Sequence, residues 1–297
     1  MRDPAIIRRL PDGRRLHLAD GPIDLVIEAD GPPGSVECAY RAAAHRFVSI
    51  LDELCAELPL LRGRAAANSL RPCGAIARRM AAAVAPYRER CFITPMAAVA
   101  GAVAEAVLEA MTGAADLNRA YVNNGGDIAL HLSGSHSYTV GMVERPDILS
   151  LFGSFQVSAA MPVRGVATSG WRGRSFSLGI ADAVTVLAAT ASQADAAATI
   201  IANAVDLPGH AAVTRVPARE IAPDSDLQDL LVTRDVGPLS VSEVARALDA
   251  GEKLAGELRE QKLIHSAALS LRQAVRVVPT AAAPAILELS PRSLLHA

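Results

Sequence analysis

The sequence predicts an α+β fold, with largely antiparallel sheets packed against helices. Two observations carry this. Strand-like and helix-like stretches are interspersed along the chain without strict βαβ alternation. Hydrophobic residues make up 51% of the chain but aromatics only 3%. A core of Ala, Val and Leu lets helices lie close on a sheet. At 297 residues there is room for one large domain or two small ones. With no internal repeat and no low-complexity linker, a single domain over residues 1–297 is expected, with a loose tail at 280–297.

In chain order, Ile23 to Asp30 (IDLVIEAD) is β-branched and ends in the breaker GPPG, which predicts a strand and a turn. From Val36 to about Leu61, Ala44, Val48, Leu51, Leu54 and Cys55 recur at helical spacing. A shorter helix is expected over Gly74 to Ala85. Thr94 as cap and Pro95 in the first turn start the next helix. Its run Met96 to Met111 is rich in small residues, with Glu105 and Glu109 on one face. Such a helix suits a core or the interface of a homodimer. Strands are expected over Ala120–Leu132, Ser137–Glu144, Ser154–Ala160, Arg164–Ser169 and, fully buried, Ala183–Ala188. A helix capped by Ser192 runs to Val205. A long polar helix is expected from Ser240 to about Arg272, and a last strand from Ala274 to Pro279.

Composition excludes several classes. A net charge of −2 gives no basic field, so no nucleic-acid partner is expected. Arg8, Arg9, Arg14 and Arg15 read as a solvated face. Cys38, Cys55, Cys73 and Cys91 show no CxxC spacing and read as free thiols in a reducing compartment. The N-terminal stretch has charges throughout and no apolar core of a secretory signal. Asp182, Gln193, Asp195, Asn203 and Asp206 interrupt the stretch Ser177 to Thr214, which has no Lys or Arg. No membrane contact and a cytoplasmic location are therefore expected. There is no GxSxG, no HExxH and no GxGxxG after a strand. His131 and His136 flank a turn without metal-ligand partners and read as surface histidines.

Three clusters are candidates for chemistry. Asn123-Asn124-Gly125-Gly126-Asp127 is either a plain hairpin turn or a place where glycines let a ligand approach the backbone, with Asp127 at the restart of a strand. Thr168-Ser169-Gly170-Trp171-Arg172-Gly173-Arg174-Ser175 offers hydroxyls, glycines and arginines suited to phosphate oxygens, or is an exposed polar turn. Gly165 and Gly170 have P-loop separation, but Trp171 and Arg172 stand where Lys and Ser/Thr are needed. Asp195 and Thr199, four apart on a helix, share one face. Hard oxygen donors so placed can bind Mg²⁺, and Asp195 in a first helical turn also simply suits the helix dipole.

In order and spacing, VNNGGDI, ATSG and AVTVLAATASQADAAAT resemble the ApbE-like superfamily, typified by FAD:protein FMN transferases. Together with PMAAVAGAVAEAV, they resemble its branch called uncharacterised protein family 0280. The most specific resemblance spans residues 91–205. It implies an ApbE-like fold, with Asp195 and Thr199 as magnesium ligands. It also implies that Gly125, Gly126 and Asp127 line a flavin site, with Thr168, Ser169 and Gly170 beside the flavin and its phosphates. Arg172 or Arg174 would pair with phosphate. The implied function is a Mg²⁺-dependent enzyme acting on FAD, FMN or another phosphorylated, ring-bearing small molecule. Transferases carry a histidine and an Asp-Pro-x-Thr-Gly stretch before the V-T-V strand; here the interval is SFSLGIAD, keeping only Asp182. That departure supports an alternative, a flavin- or metabolite-binding protein without turnover.

Overall fold

The computed structural model describes residues 4–68, 71–145, 148–279 and 288–289. Apart from residues 288–289, the tail expected at 280–297 lies outside the described residues. The elements run β1 (Ile6–Arg9), β2 (Leu16–Asp20), β3 (Ile23–Asp30), α1 (Ser35–Ala56), α2 (Leu58–Leu61), α3 (Ala75–Val84) and α4 (Val99–Ala114). Then come β4 (Arg119–Asn124), β5 (Asp127–Leu132), β6 (Ser137–Arg145), β7 (Ile148–Ser158), β8 (Gly165–Ser169), β9 (Ala183–Ala188) and α5 (Ala191–Ala204). The chain continues with β10 (Val213–Pro217), α6 (Ala218–Ile221), β11 (Leu231–Val236), α7 (Val241–Glu260), β12 (Ser266–Leu271), β13 (Ala274–Val278) and β14 (Glu288–Leu289). The α+β class is as expected, and the registered strand pairs are all antiparallel.

By contact the chain forms two compact units. The first comprises Met1–Ser137, Ser158–Ala167 and Ala189–Ala196. Its strands lie in the order β1-β2-β3-β4-β5-β8. Helices α1 and α4 pack on them and on each other, with α3 beside α4. Along β3, Ile23, Leu25 and Ile27 point to the core at period two. The arginines near the start sit on the β1–β2 hairpin, where Arg9 pairs with Glu37, Arg14 with Glu28 and Arg15 with Asp12, as expected of a solvated face.

Helix α1 buries Ala39, Tyr40, Ala43, Phe47, Ile50 and Leu54. The face expected from sequence lies about one residue later, and of its members only Leu54 is buried; Val48 is 46% exposed. Tyr40 and Phe47 set the rotation because they carry the most apolar area. The Tyr40 hydroxyl also donates to the Arg14 carbonyl at 2.6 Å and accepts from the Ala29 N–H at 3.1 Å.

Helix α4 begins with a 3₁₀ turn, Pro95–Ala98, with Pro95 in the position expected. Thr94 makes no side-chain cap bond, contrary to expectation, because the 3₁₀ turn satisfies the start through backbone bonds. Pro95–Ala114 is long and apolar enough to cross a membrane by length and composition, and half of it is buried. Its small residues Gly101, Ala102, Ala104 and Ala106 are among those packed inside.

The second unit comprises Tyr138–Val157, Thr168–Ala188 and Ala197–Ala297. It holds β9, β12 and β13 in that order, the β10–β11 ribbon, and the sheet β14-β7-β6. Helix α7 packs on β12 and β13. Ser240 opens it with a capping box, exchanging bonds with Glu243. It ends at Glu260, twelve residues short of the end expected near Arg272. Lys262 adopts φ 60°, and the Leu263 N–H returns to the Leu258 carbonyl. That is a Schellman stop made without glycine. The residues beyond it form β12, every one of them buried.

Candidate functional site

In the first unit, β4 and β5 are joined by Gly125 and Gly126, with Asn124 paired to Asp127. The glycines take φ of 65° and 117°, conformations L side chains rarely adopt. The Gly126 N–H donates to Asn123 Oδ1 at 2.8 Å. The cluster is therefore a two-residue hairpin, and it sets Asp127 at the start of β5. Asn124 turns inward and its Nδ2 donates to the Ala100 carbonyl at 3.1 Å, tying the hairpin to the first turn of α4.

Asp195 meets the same turn of α4. Its Oδ2 accepts the Gly101 N–H at 3.0 Å, and the Ala100 N–H also favours its charged form. Desolvation outweighs both. Together with the negative charges of Asp127 and, more weakly, Glu105, it pushes the Asp195 carboxyl well above the usual carboxylate range. Asp195 keeps a partly accessible edge, but protein surrounds it closely enough that loss of hydration dominates. Two carboxylates thus repel each other beside the amides at a helix start.

The start of α5 is fixed by groups that sequence reasoning missed. Its cap is Thr190, whose Oγ1 accepts the Gln193 N–H at 3.3 Å; Ser192, the expected cap, lies inside the helix. Asp195 accordingly falls beyond the first turn, which contains no acidic residue. Its charge answers the amides of α4 rather than the dipole of its own helix. Glu105, from α4, accepts the Ser192 N–H at 2.6 Å. Arg79 holds Glu105 at 2.9 Å and Glu109 at 2.6 Å, so the two glutamates on one face of α4 share one arginine. Gly101 permits the approach. A Cβ there would stand 2.5 Å from the Ala191 carbonyl carbon and 2.7 Å from the Ser192 nitrogen. The small-residue run was the only sequence signal for this contact.

In the second unit lie Thr168, Ser169, Gly170 and Arg172, and Thr199 one turn along α5 from Asp195. Thr168 Oγ1 is 2.9 Å from Thr185 Oγ1, at the buried strand β9. Gly170 lies against the backbone of residues 181–182, where a Cβ would come within 2.9 Å of the Ala181 oxygen. Asp182, 6% exposed, accepts from Trp171 Nε1 at 3.1 Å, Arg172 Nε at 2.8 Å and the Arg272 N–H at 2.6 Å. The Arg172 guanidinium stacks on Trp171 with its carbon 4.2 Å from the ring centroid. His131 and His136 bond to the carbonyls of Leu117 and Ser133. Among the described residues, no three His, Cys, Asp or Glu side chains gather as a metal-binding group.

The fold defines an α+β class, in which the first unit carries paired aspartates at a hairpin and a helix and the second, described by itself, carries a loop with hydroxyls and arginines. The profile of the family described as AbpE bacteria matches residues 7–277. A UPF0280 protein of Methanopyrus kandleri is 36% identical over 183 residues, covering 61% of this chain and 69% of the relative. UPF0280 proteins of Methanothermobacter thermautotrophicus and Methanosarcina acetivorans are 42% and 39% identical. These two matches cover 39% of this chain, and the chain spans 44% of each relative, less than half its length. The chain belongs to this family, as a member of the uncharacterised protein family 0280 branch of the ApbE-like superfamily. Among solved structures, the apo flavinyl transferase ApbE of Pseudomonas stutzeri matches 93% of this chain and 95% of its own, at 13% identity and a TM-score of 0.35. At those values no residue role transfers from it.

Proposed function

We propose that this protein is a magnesium-dependent enzyme acting on a flavin nucleotide, FAD or FMN, or another phosphorylated, ring-bearing metabolite. The observation that carries the reading is the pairing of Asp127 and Asp195. Desolvation and the nearby charge of Asp127 push the Asp195 carboxyl up, and a divalent cation would offset both by favouring its charged form. Asp195 and Thr199 are the residues that would hold Mg²⁺, with backbone carbonyls, waters or ligand phosphates completing six oxygen donors. When bound, magnesium neutralises phosphate charge and polarises a phosphoryl oxygen. Gly125, Gly126 and Asp127 would give the ligand close access to backbone. Thr168, Ser169 and Gly170 would position its phosphates.

One observation favours a second reading, a flavin- or metabolite-binding protein without turnover. SFSLGIAD lacks the transferase histidine and threonine, and the retained Asp182 is engaged by Trp171, Arg172 and the Arg272 backbone. Incubation with FAD and Mg²⁺ followed by chromatography separates the two. AMP and FMN as products support the enzyme. A yellow protein that retains intact FAD supports the second reading. No retention and no products would remove flavin from both.

A further inference from the structure

Arg172 is held from two sides. Its guanidinium carbon lies over the ring of the only tryptophan of the chain, Trp171, 4.2 Å from the centroid. Its Nε donates to Asp182, which is almost wholly buried, while Arg172 itself is 25% exposed. Its two terminal nitrogens make no hydrogen bond among the described residues. A guanidinium fixed by one face and one edge presents its remaining N–H fork in a set direction, the geometry that suits bidentate contact with an oxyanion. The rotamer freedom that ligand binding would otherwise remove is already lost.

The loop is built to hold this arrangement. The Trp171 N–H donates to the Ala181 carbonyl at 3.0 Å, and the Gly173 N–H to the Gly170 carbonyl at 3.0 Å. Gly170 allows the segment to lie against the backbone of Asp182. Asp182 weakens the local positive field, which opposes anion binding. However, its two oxygens already accept from Trp171 Nε1, Arg172 Nε and the Arg272 N–H. Its charge is therefore spread over donors of the protein.

We propose that Arg172, floored by Trp171 and oriented by Asp182, is a receptor for the diphosphate of the ligand. The hydroxyl-bearing segment Thr168–Gly170 leads directly into it. This rests on the proposed function in that the ligand is phosphorylated, and it adds the residue that receives the phosphate and the two that position it. Asp182 and Trp171 are positioning residues.

The test uses the full chain without magnesium. Trp171 emission, the only indole signal, is followed while inorganic pyrophosphate, ADP or acetate is added, with calorimetry alongside. The expected result is a saturable change with pyrophosphate and ADP but not with acetate. ADP binding more tightly than pyrophosphate would identify a nucleotide as the source of the diphosphate; equal affinity would identify free pyrophosphate as sufficient. Arg172→Lys keeps the charge but loses the planar fork, and binding should weaken about tenfold. Arg172→Ala should abolish it. Asp182→Asn should weaken binding and alter Trp171 emission before any ligand is added. Unchanged affinity in Arg172→Lys, or no pyrophosphate response by either method in wild type, overturns the receptor. Tighter binding in Asp182→Asn overturns the orienting role. If FAD binds with magnesium while Arg172→Ala binds it equally well, the receptor fails and the proposed function stands. If pyrophosphate binds through Arg172 while FAD does not bind, the reverse holds.

Discussion

Replacing Gly101 with alanine tests how the start of α5 is held against α4. In an open helix the change stabilises, because alanine exceeds glycine in helix propensity by about 0.8–1.0 kcal/mol. At Gly101 the new Cβ would stand 2.5 Å from the Ala191 carbonyl carbon, where ordinary contact begins at 3.4 Å. The atoms it meets are backbone, so the α5 start must retreat by about 1 Å, and overpacking of this kind costs roughly 1–3 kcal/mol. The retreat also lengthens the Gly101 N–H bond to Asp195, a charge-assisted bond of a kind that contributes roughly 1.5–3 kcal/mol. The net loss expected is roughly 1.5–5 kcal/mol. For a chain of this size that lowers Tm by about 2–8 °C. Gly113, in the same helix, has nothing within 4 Å of its added Cβ. Gly113→Ala should therefore raise stability by up to about 1 kcal/mol. Thermal melts of both variants, followed by circular dichroism, give the comparison. If Gly101→Ala melts at or above the wild-type temperature, the close approach that positions Asp195 is wrong.

Further outcomes are expected elsewhere in the molecule. Asp195 has a raised pKa in the folded state, so its stabilising contribution is full below the unfolded value near 3.8 and is lost as pH rises through the folded value. Metal-free protein should thus gain stability on acidification through that window, and Asp195→Asn should remove that part of the dependence in pH-series melts. Mg²⁺ at about one hundred times its Kd should stabilise wild type by about 2.7 kcal/mol and leave Asp195→Asn unmoved. Asp182→Ala removes an acceptor from three donors and should destabilise by roughly 3–5 kcal/mol in urea titration, with a shift in Trp171 emission. Glu243 is lowered to about 2, first by the Ser240 N–H and then by His210 and the Ser240 hydroxyl. Its contribution is present above 4.5 and lost as pH falls toward 2; Ser240→Ala should move its NMR titration upward.

Much of the fold was legible because burial and propensity agree locally. Ile23 to Asp30 alternates in hydrophobicity and forms β3 over those same residues. The β-branched, mostly apolar run AVTVLA likewise forms the all-buried strand Ala183–Ala188. Legibility failed where a stop has no special residue. Lys262 ends α7 in a left-handed conformation, and nothing in GELREQKLIH marks it. The strand beyond it, SAALSL, is buried on both faces and so shows no alternation. β1 was missed because arginines interrupt the apolar pattern of an exposed strand, and β2 because its buried alternation runs over only five residues directly after Arg14 and Arg15.

The site divides in the same way. The hairpin at Gly125 and Gly126 was legible, since positive φ demands those residues. The surroundings of Asp195 were not. Its partner Gly101 lies 94 positions away in sequence, and Glu105 reaches Ser192 across 87. Only the packing of small residues brings them together. The exchange of Ser192 for Thr190 as cap moved Asp195 out of the first turn, and with it the explanation of its charge.

The most direct test is calorimetry of FAD binding with and without Mg²⁺, on wild type and on Asp195→Ala. Magnesium-dependent binding in wild type that disappears in the variant is the predicted result. Binding of equal strength in both proteins, or independent of magnesium, would contradict a metal–phosphate site at Asp195.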